Sequence, residues 1–199
     1  RMAVLVRRAS EIRFQTREVH EWLGESLRFG TQEVASGDGL VVATLDLPPG
    51  GSRFLKFIRD WRRMAFLNRF GVYRLLSLVD SAPVGKAPAL IAVISPEEDK
   101  DILSAGRLMT RVWTTLNGDG VAVHPYFVIT DQLQRLRTGK VPDRLVKQAI
   151  RIENEVNEVL GLANSPGRLQ MLMRVGFPKQ VPLRSRRLPL DTVFTEYPG

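Results

Sequence analysis

The densest chemistry in the chain lies near its C-terminal end. Lys179, Arg184, Arg186 and Arg187 fall within nine residues, with no acid among them, and Pro182 and Pro189 stiffen the backbone around them. Guanidinium groups on an extended, stiff segment suit bidentate phosphate binding. The competing reading is a solvated basic tail. A second candidate is the segment Asn117-Gly118-Asp119-Gly120-Val121-Ala122-Val123-His124-Pro125. Its glycines let a ligand approach the backbone and leave N–H groups free to meet it. The competing reading is an ordinary helix stop and turn. The segment matches neither the GxGxxG nor the Walker pattern, so it carries no nucleotide fingerprint.

The two histidines are His20 and His124. His124 stands beside Pro125 in an apolar stretch, where it can transfer a proton or simply pack at a strand edge. His20 stands beside Glu21 and reads as a surface residue on a helix. No GxSxG elbow exists to support a Ser–His–Asp triad. Between Arg53 and Phe66 a basic set (Arg53, Lys56, Arg59, Arg62, Arg63) interleaves with Phe54, Phe57, Trp61 and Phe66. That pattern supplies both charge and stacking for a nucleic acid. The aromatic spacing also matches a packed core under a solvated face, and the sequence reading favours the core. Neither a helix-turn-helix nor an RNA-binding signature is present.

Composition narrows the field. The 199 residues carry 29 Lys plus Arg and 21 Asp plus Glu, a net charge of +8. Such a balance points to an anionic partner: nucleic acid, an anionic membrane surface or a phosphate-bearing ligand. The absence of cysteine excludes disulfides, thiolate catalysis, iron–sulfur clusters and Cys-type zinc sites. Two histidines do not make a multi-His metal site in one chain, and no metal is expected. No apolar run approaches the ~18–20 residues that span a bilayer. The expectation is a cytoplasmic protein with no membrane partner.

These residues must be positioned by a small set of elements. Met2 to about Arg13 reads as a helix, and a second begins near Thr16, read as its cap, and ends near Phe29-Gly30. Gly37-Asp38-Gly39 marks a turn, and Leu40 to Leu47 a short strand or extended segment. Phe54 to about Leu67 reads as one helix. Ser81-Ala82-Pro83-Val84-Gly85 reads as a loop. Ala87 to Ile94 is a short apolar, β-branched run, expected as a strand buried on both faces. A helix follows from Glu97–Asp101 to Asn117, with Ile102, Ala105, Met109, Val112, Trp113 and Leu116 as its stripe. Val121 to Ile129 reads as an edge or irregular strand interrupted by Pro125. Pro142 to Leu160 is the clearest helix, with Gly161 as its stop. Leu169 to Val175 alternates as a strand. The sum is an α+β fold in one domain over 1–199.

Several of these runs resemble the FMN-dependent nitroreductase superfamily. Ala105-Gly106-Arg107-Leu108-Met109-Thr110-Arg111-Val112-Trp113, followed by Gly120-Val121-Ala122-Val123-His124-Pro125, is similar to its central helix and next strand. Leu169 to Pro178 and then Arg184-Ser185-Arg186-Arg187-Leu188-Pro189-Leu190-Asp191 are similar to its C-terminal end, and Ala87-Pro88-Ala89-Leu90-Ile91 to a core strand. Within the superfamily the chain most resembles the divergent, dormancy-associated branch, in which two nitroreductase-like halves are fused. Ile12-Arg13-Phe14 and Gly37-Asp38-Gly39-Leu40 resemble the middle of such proteins.

The resemblance implies a nitroreductase-like mixed sheet flanked by helices, forming a homodimer or completed by a second such half. It implies FMN between the halves, reduced by NAD(P)H, with a nitro compound, a quinone or a similar small molecule as acceptor. It places the phosphate clamp at Arg184, Arg186 or Arg187, and the backbone contact to flavin N5 among Gly120, Val121, Ala122 and Val123. It names no catalytic side chain. The family's N-terminal Arg-Arg-Ser-x-Arg motif is not cleanly matched: Arg7-Arg8-Ala9-Ser10-Glu11-Ile12-Arg13 has a different spacing and reads as mid-helix. The chain is then the C-terminal part of a longer protein, for which fusion behind an E1-like adenylating domain is one form, or a module whose cofactor site has decayed. Three functions follow in order: a flavin oxidoreductase, a non-catalytic flavin-sequestering or degenerate scaffold or regulatory domain, and a basic nucleic-acid-binding module.

Overall fold

The structure is a computed structural model that describes residues 1–45, 47–178, 183 and 188–195. Its contacts gather into two compact units: Arg1–Thr16 with 68–178, and Arg17–Leu67 with the described C-terminal residues. In chain order the elements are α1 (Met2–Gln15), α2 (Arg17–Ser26), β1 (Leu27–Arg28), α3 (Thr31–Ala35), β2 (Leu40–Val41), α4 (Gly51–Ile58), α5 (Trp61–Asn68), α6 (Val72–Gly85), β3 (Ala89–Ser95), α7 (Asp99–Gly118), β4 (Ala122–Pro125), α8 (Phe127–Arg137), α9 (Asp143–Val159), β5 (Arg168–Gly176) and α10 (Leu190–Val193). Helices and strands interleave, so the α+β class stands.

In the first unit β5 is the central strand of an antiparallel sheet, with β3 on one side and β4 on the other. Among the described residues this sheet is wholly antiparallel, where a mixed sheet was expected. Successive side chains point to opposite faces. Leu90, Ala92 and Leu172 therefore join the main core with α1, α8 and α9, while Ile91, Val93, Met171 and Met173 meet Ala105, Met109 and Val112 of α7. The main core is built on two helical stripes: Leu5, Val6, Ala9 and Ile12 of α1, and Leu145, Ala149, Ile152 and Val156 of α9. Burial of each large side chain there contributes ~1.5–3 kcal/mol.

Three helices stop by the same device. At α7, α8 and α9 a glycine takes a left-handed φ of 76°, 66° and 68° respectively: Gly120, Gly139 and Gly161. The next residue's N–H then reaches back to the last turn: Val121 to Leu116 O at 2.8 Å, Lys140 to Arg135 O at 2.8 Å, and Leu162 to Asn157 O at 2.7 Å. This is the double-bonded left-handed stop that satisfies orphan carbonyls.

The second unit pairs β1 with β2 in parallel, Leu27 opposite Leu40 and Arg28 opposite Val41. The turn between them holds Arg28 against Asp38, with Nη2 to Oδ2 at 2.9 Å and Nε to Oδ1 at 3.0 Å. That pairing, with the Ser36 hydroxyl, holds the Asp38 carboxyl far below the usual carboxylate range.

Several sequence expectations are corrected. Thr16 does not cap α2; its hydroxyl donates back to Ile12 O at 2.8 Å. The expected single helix over 54–67 is two, because Asp60 starts a new one: its Oδ1 accepts the Arg62 and Arg63 N–H groups at 2.7 and 3.3 Å. The expected loop at Ser81–Gly85 is the last turn of α6, which tolerates Pro83 near its end. Leu40 to Leu47 holds only two strand residues before a 3-10 turn over Val42–Leu45. The strand expected over 121–129 stops at Pro125, and α8 starts at Phe127. β3 is not buried on both faces: only Val93 is fully buried.

Candidate functional site

The expected cofactor-binding stretch Gly120–Val123 is the turn from α7 into β4. Its first N–H groups are already used. The Asp119 N–H donates to Thr115 O at 3.1 Å, Gly120 to Asn117 O at 3.1 Å and Val121 to Leu116 O at 2.8 Å. With its amide set so that both ends are satisfied, Asn117 donates to Val121 O at 3.0 Å and accepts the Trp113 Nε1–H at 3.1 Å. Helix capping thus accounts for the turn's geometry.

The strand that follows is different. β4 pairs with β5 so that Ala122 faces Gly176, Val123 faces Val175 and His124 faces Arg174. The Tyr126 N–H donates to Leu172 O at 2.6 Å, which makes Tyr126 and Leu172 a hydrogen-bonded pair. Antiparallel pairs alternate, so His124 and Ala122 are bonded positions, and the Val123 N–H points away from β5, along an edge where no strand among the described residues pairs. Pro125, the next outward position, has no N–H. Of the four expected residues, Val123 alone offers an outward N–H. Gly118 and Gly120 both have open space where a Cβ would stand, so a flat ligand meets no obstruction there.

Below this edge lies a polar cluster. The Ser10 hydroxyl, fully buried, donates to Asp80 Oδ2 at 2.5 Å. Arg13 Nη2 stands 3.1 Å from Asp80 Oδ1. The Tyr126 hydroxyl donates to the Asp80 backbone oxygen at 3.0 Å. The His124 ring meets the Tyr126 ring edge-on at 5.2 Å, and the Arg174 guanidinium lies 6.0 Å from the Tyr126 centroid. The packing around its ring and then the Arg174 charge hold the His124 pKa below the usual imidazole value. Burial, then Asp80, raise that of Tyr126. The sequence reading missed Ser10, Arg13, Asp80 and Tyr126. The available signal was Arg13 one helical turn after Ser10, with Asp80 hidden in a segment not read as a helix.

His20 is buried rather than exposed. Its Nε2 lies 2.7 Å from Ile58 O and its ring 5.4 Å from the Trp61 ring. A carbonyl only accepts, so Nε2 carries the proton. Burial lowers the His20 pKa against the opposing pull of the Ile58 carbonyl. The Arg7–Arg13 stretch lies inside α1, where Arg8 pairs with Glu155 at 2.5 Å and Arg7 with Glu11 at 4.0 Å. The aromatics expected to form a core under the basic helix do not all do so: Phe54, Phe57 and Phe66 are exposed, and Ile58 and Met64 are buried instead. Lys179, Arg184, Arg186 and Arg187 lie outside the described residues. Among the described residues no group of three or more His, Cys, Asp or Glu is arranged to hold a metal. No helix there is long and apolar enough to cross a membrane.

No protein-family model, no curated protein and no solved structure matches the chain.

Proposed function

We propose that the chain is a flavin-dependent oxidoreductase module of nitroreductase type, binding FMN against the turn from α7 into β4 and completed by a second copy or a second nitroreductase-like half. The observation that carries the reading is the outward Val123 N–H on the β4 edge, directly after two glycines with open space beside them. Two exposed apolar side chains of α7 add support: Leu103 is 67% exposed and Leu108 53%, and a second half would cover them.

The described residues fit part of the expected cradle. The Val123 N–H would donate to an acceptor on the flavin ring, while Gly118 and Gly120 admit the ring edge. Gly120 and Val121 contribute shape, because their N–H groups close the helix. The phosphate clamp is proposed at Arg184, Arg186 and Arg187. When bound, FMN supplies the redox chemistry, taking a hydride from NAD(P)H and passing electrons to a nitro compound, a quinone or a similar acceptor. The apolar α7 residues would exclude water. The reading needs no side-chain acid or base.

The test is a visible absorption titration of the purified chain with FMN, on the wild type and on Val123→Pro. Proline is tolerated at an outward edge position and removes the N–H in question; Val123→Ala, which trims the packed side chain but keeps the N–H, is the control. A flavin band that forms in the wild type, weakens in Val123→Pro and bleaches with NADH or NADPH is the expected result. A bound flavin that no nicotinamide bleaches assigns the chain to the flavin-sequestering class. A chain that takes up no FMN overturns the reading and leaves a scaffold.

A further inference from the structure

The second unit leaves phenylalanine rings on its surface beside a concentrated positive charge. Phe54 is 39% exposed and Phe57 49%, one turn apart on α4, with Ile58 turned inward at 3%. Phe66 on α5 is 57% exposed. A folded unit that places rings outside its own core marks a contact surface. Around them Arg53, Lys56, Arg59, Arg62 and Arg63 are all exposed. The one acid between 53 and 67 is Asp60, whose Oδ1 is engaged with the first N–H groups of α5. The Arg63 guanidinium lies 4.9 Å from the Phe57 centroid, so ring and cation share one face. Glu33 also lies near this charge; the Phe29 N–H, then Arg59 and Lys56, favour its ionised form.

We propose that this face of α4 and α5 docks on an anionic phospholipid surface. Phe54 and Phe57 enter the boundary between headgroups and acyl chains, and Arg53, Lys56 and Arg63 take the lipid phosphates. Lys and Arg stems lie along apolar surface while their heads reach outward, the arrangement of an interfacial helix. A lipid plane fits better than a nucleic-acid strand. The adjoining groove of about 530 Å³, floored by Trp61, alternates Arg17, Arg59 and Arg62 with Glu21, Glu25 and Asp60. Those carboxylates interrupt a phosphodiester track but not a plane that touches only the helix crest.

The test is co-sedimentation of the full chain with vesicles of phosphatidylglycerol mixed with phosphatidylcholine, and with vesicles of phosphatidylcholine alone. Binding is expected to the first and not the second, weakening with salt. Phe54→Ser with Phe57→Ser leaves the charge unchanged and should lower binding about tenfold or more. Arg53→Gln with Lys56→Gln, at exposed positions that leave α4 folded, should lower it comparably. The proposal falls if the wild type ignores the anionic vesicles or binds both kinds equally. It also falls if the phenylalanine variant, folded by circular dichroism, binds as well as the wild type. Phe54- and Phe57-dependent binding of single-stranded RNA, without vesicle binding, would reassign the face to nucleic acid.

Discussion

The Ser10 hydroxyl and the Asp80 carboxylate meet at 2.5 Å between α1 and α6, seventy residues apart in sequence. Ser10 is fully buried, and the same carboxylate holds Arg13 at 3.1 Å. Removing the carboxylate leaves a buried hydroxyl and a partly buried guanidinium unsatisfied, which costs more than the pair itself contributes. Asp80→Ala should destabilise the first unit by ~2–3 kcal/mol, and Ser10→Ala by about 1 kcal/mol. Urea unfolding followed by circular dichroism checks both. An Asp80→Ala midpoint equal to that of the wild type would refute the cluster's structural role.

Both histidines release their proton more readily in the folded chain than in the unfolded one. Below the unfolded imidazole value of ~6.5 the unfolded state therefore binds more protons, and stability falls as pH drops. It is complete above about pH 7 and levels off once pH passes below the folded values. Melting temperatures between pH 5 and 8 should show a smaller decline in His20→Gln with His124→Gln than in the wild type. The two imidazole Cε1–H resonances should both titrate below ~6.5 by NMR. A midpoint above that value would refute the environment described for that ring.

Two glycines with left-handed φ should respond unequally to alanine. At Gly120, φ is 76° and a Cβ meets open space, so Gly120→Ala costs backbone strain alone, ~1–2 kcal/mol. At Gly39, φ is 68° and a Cβ would stand 2.6 Å from Ser26 O and 2.9 Å from Arg28 Cζ. Gly39→Ala therefore adds a backbone collision to the strain and should displace Arg28 from Asp38. Unfolding midpoints of the two variants compare them. The ordering fails if Gly120→Ala is the more disruptive.

What could be read from the sequence followed the strength of local signals. α1, α7, α9 and β5 were legible because their apolar period matches one buried face, and glycines mark the ends of α7 and α9. α6 was not, because Pro83 and Gly85 look like punctuation, while its inward side rests on small residues such as Ser77 and Ser81. The split between α4 and α5 turns on one side chain, Asp60, a single cap residue inside a run whose apolar and basic spacing continues across it. α8 was lost because Val128 and Ile129 continue the apolar composition of β4, and Pro125 alone does not say whether a strand or a helix follows. The candidate site divides in the same way. Glycine spacing pointed to the turn after α7, but which N–H faces outward depends on strand register, which no local pattern encodes. The exposure of Phe54 and Phe57 was equally hidden, since core and surface aromatics share one spacing.

The first unit begins with α1 and resumes only at Asn68, so the chain leaves it and returns. The apolar side of α1, with Leu5, Val6, Ala9 and Ile12, is synthesised early, yet its partners on α9 emerge more than a hundred residues later. At ~5–20 residues per second, α1 waits at least several seconds beside a growing chain before α9 completes that cover. In the cell, α1 is made well before the last of the helices that bury it. Chaperone capture of nascent chains halted before α9 is where that delay would be visible.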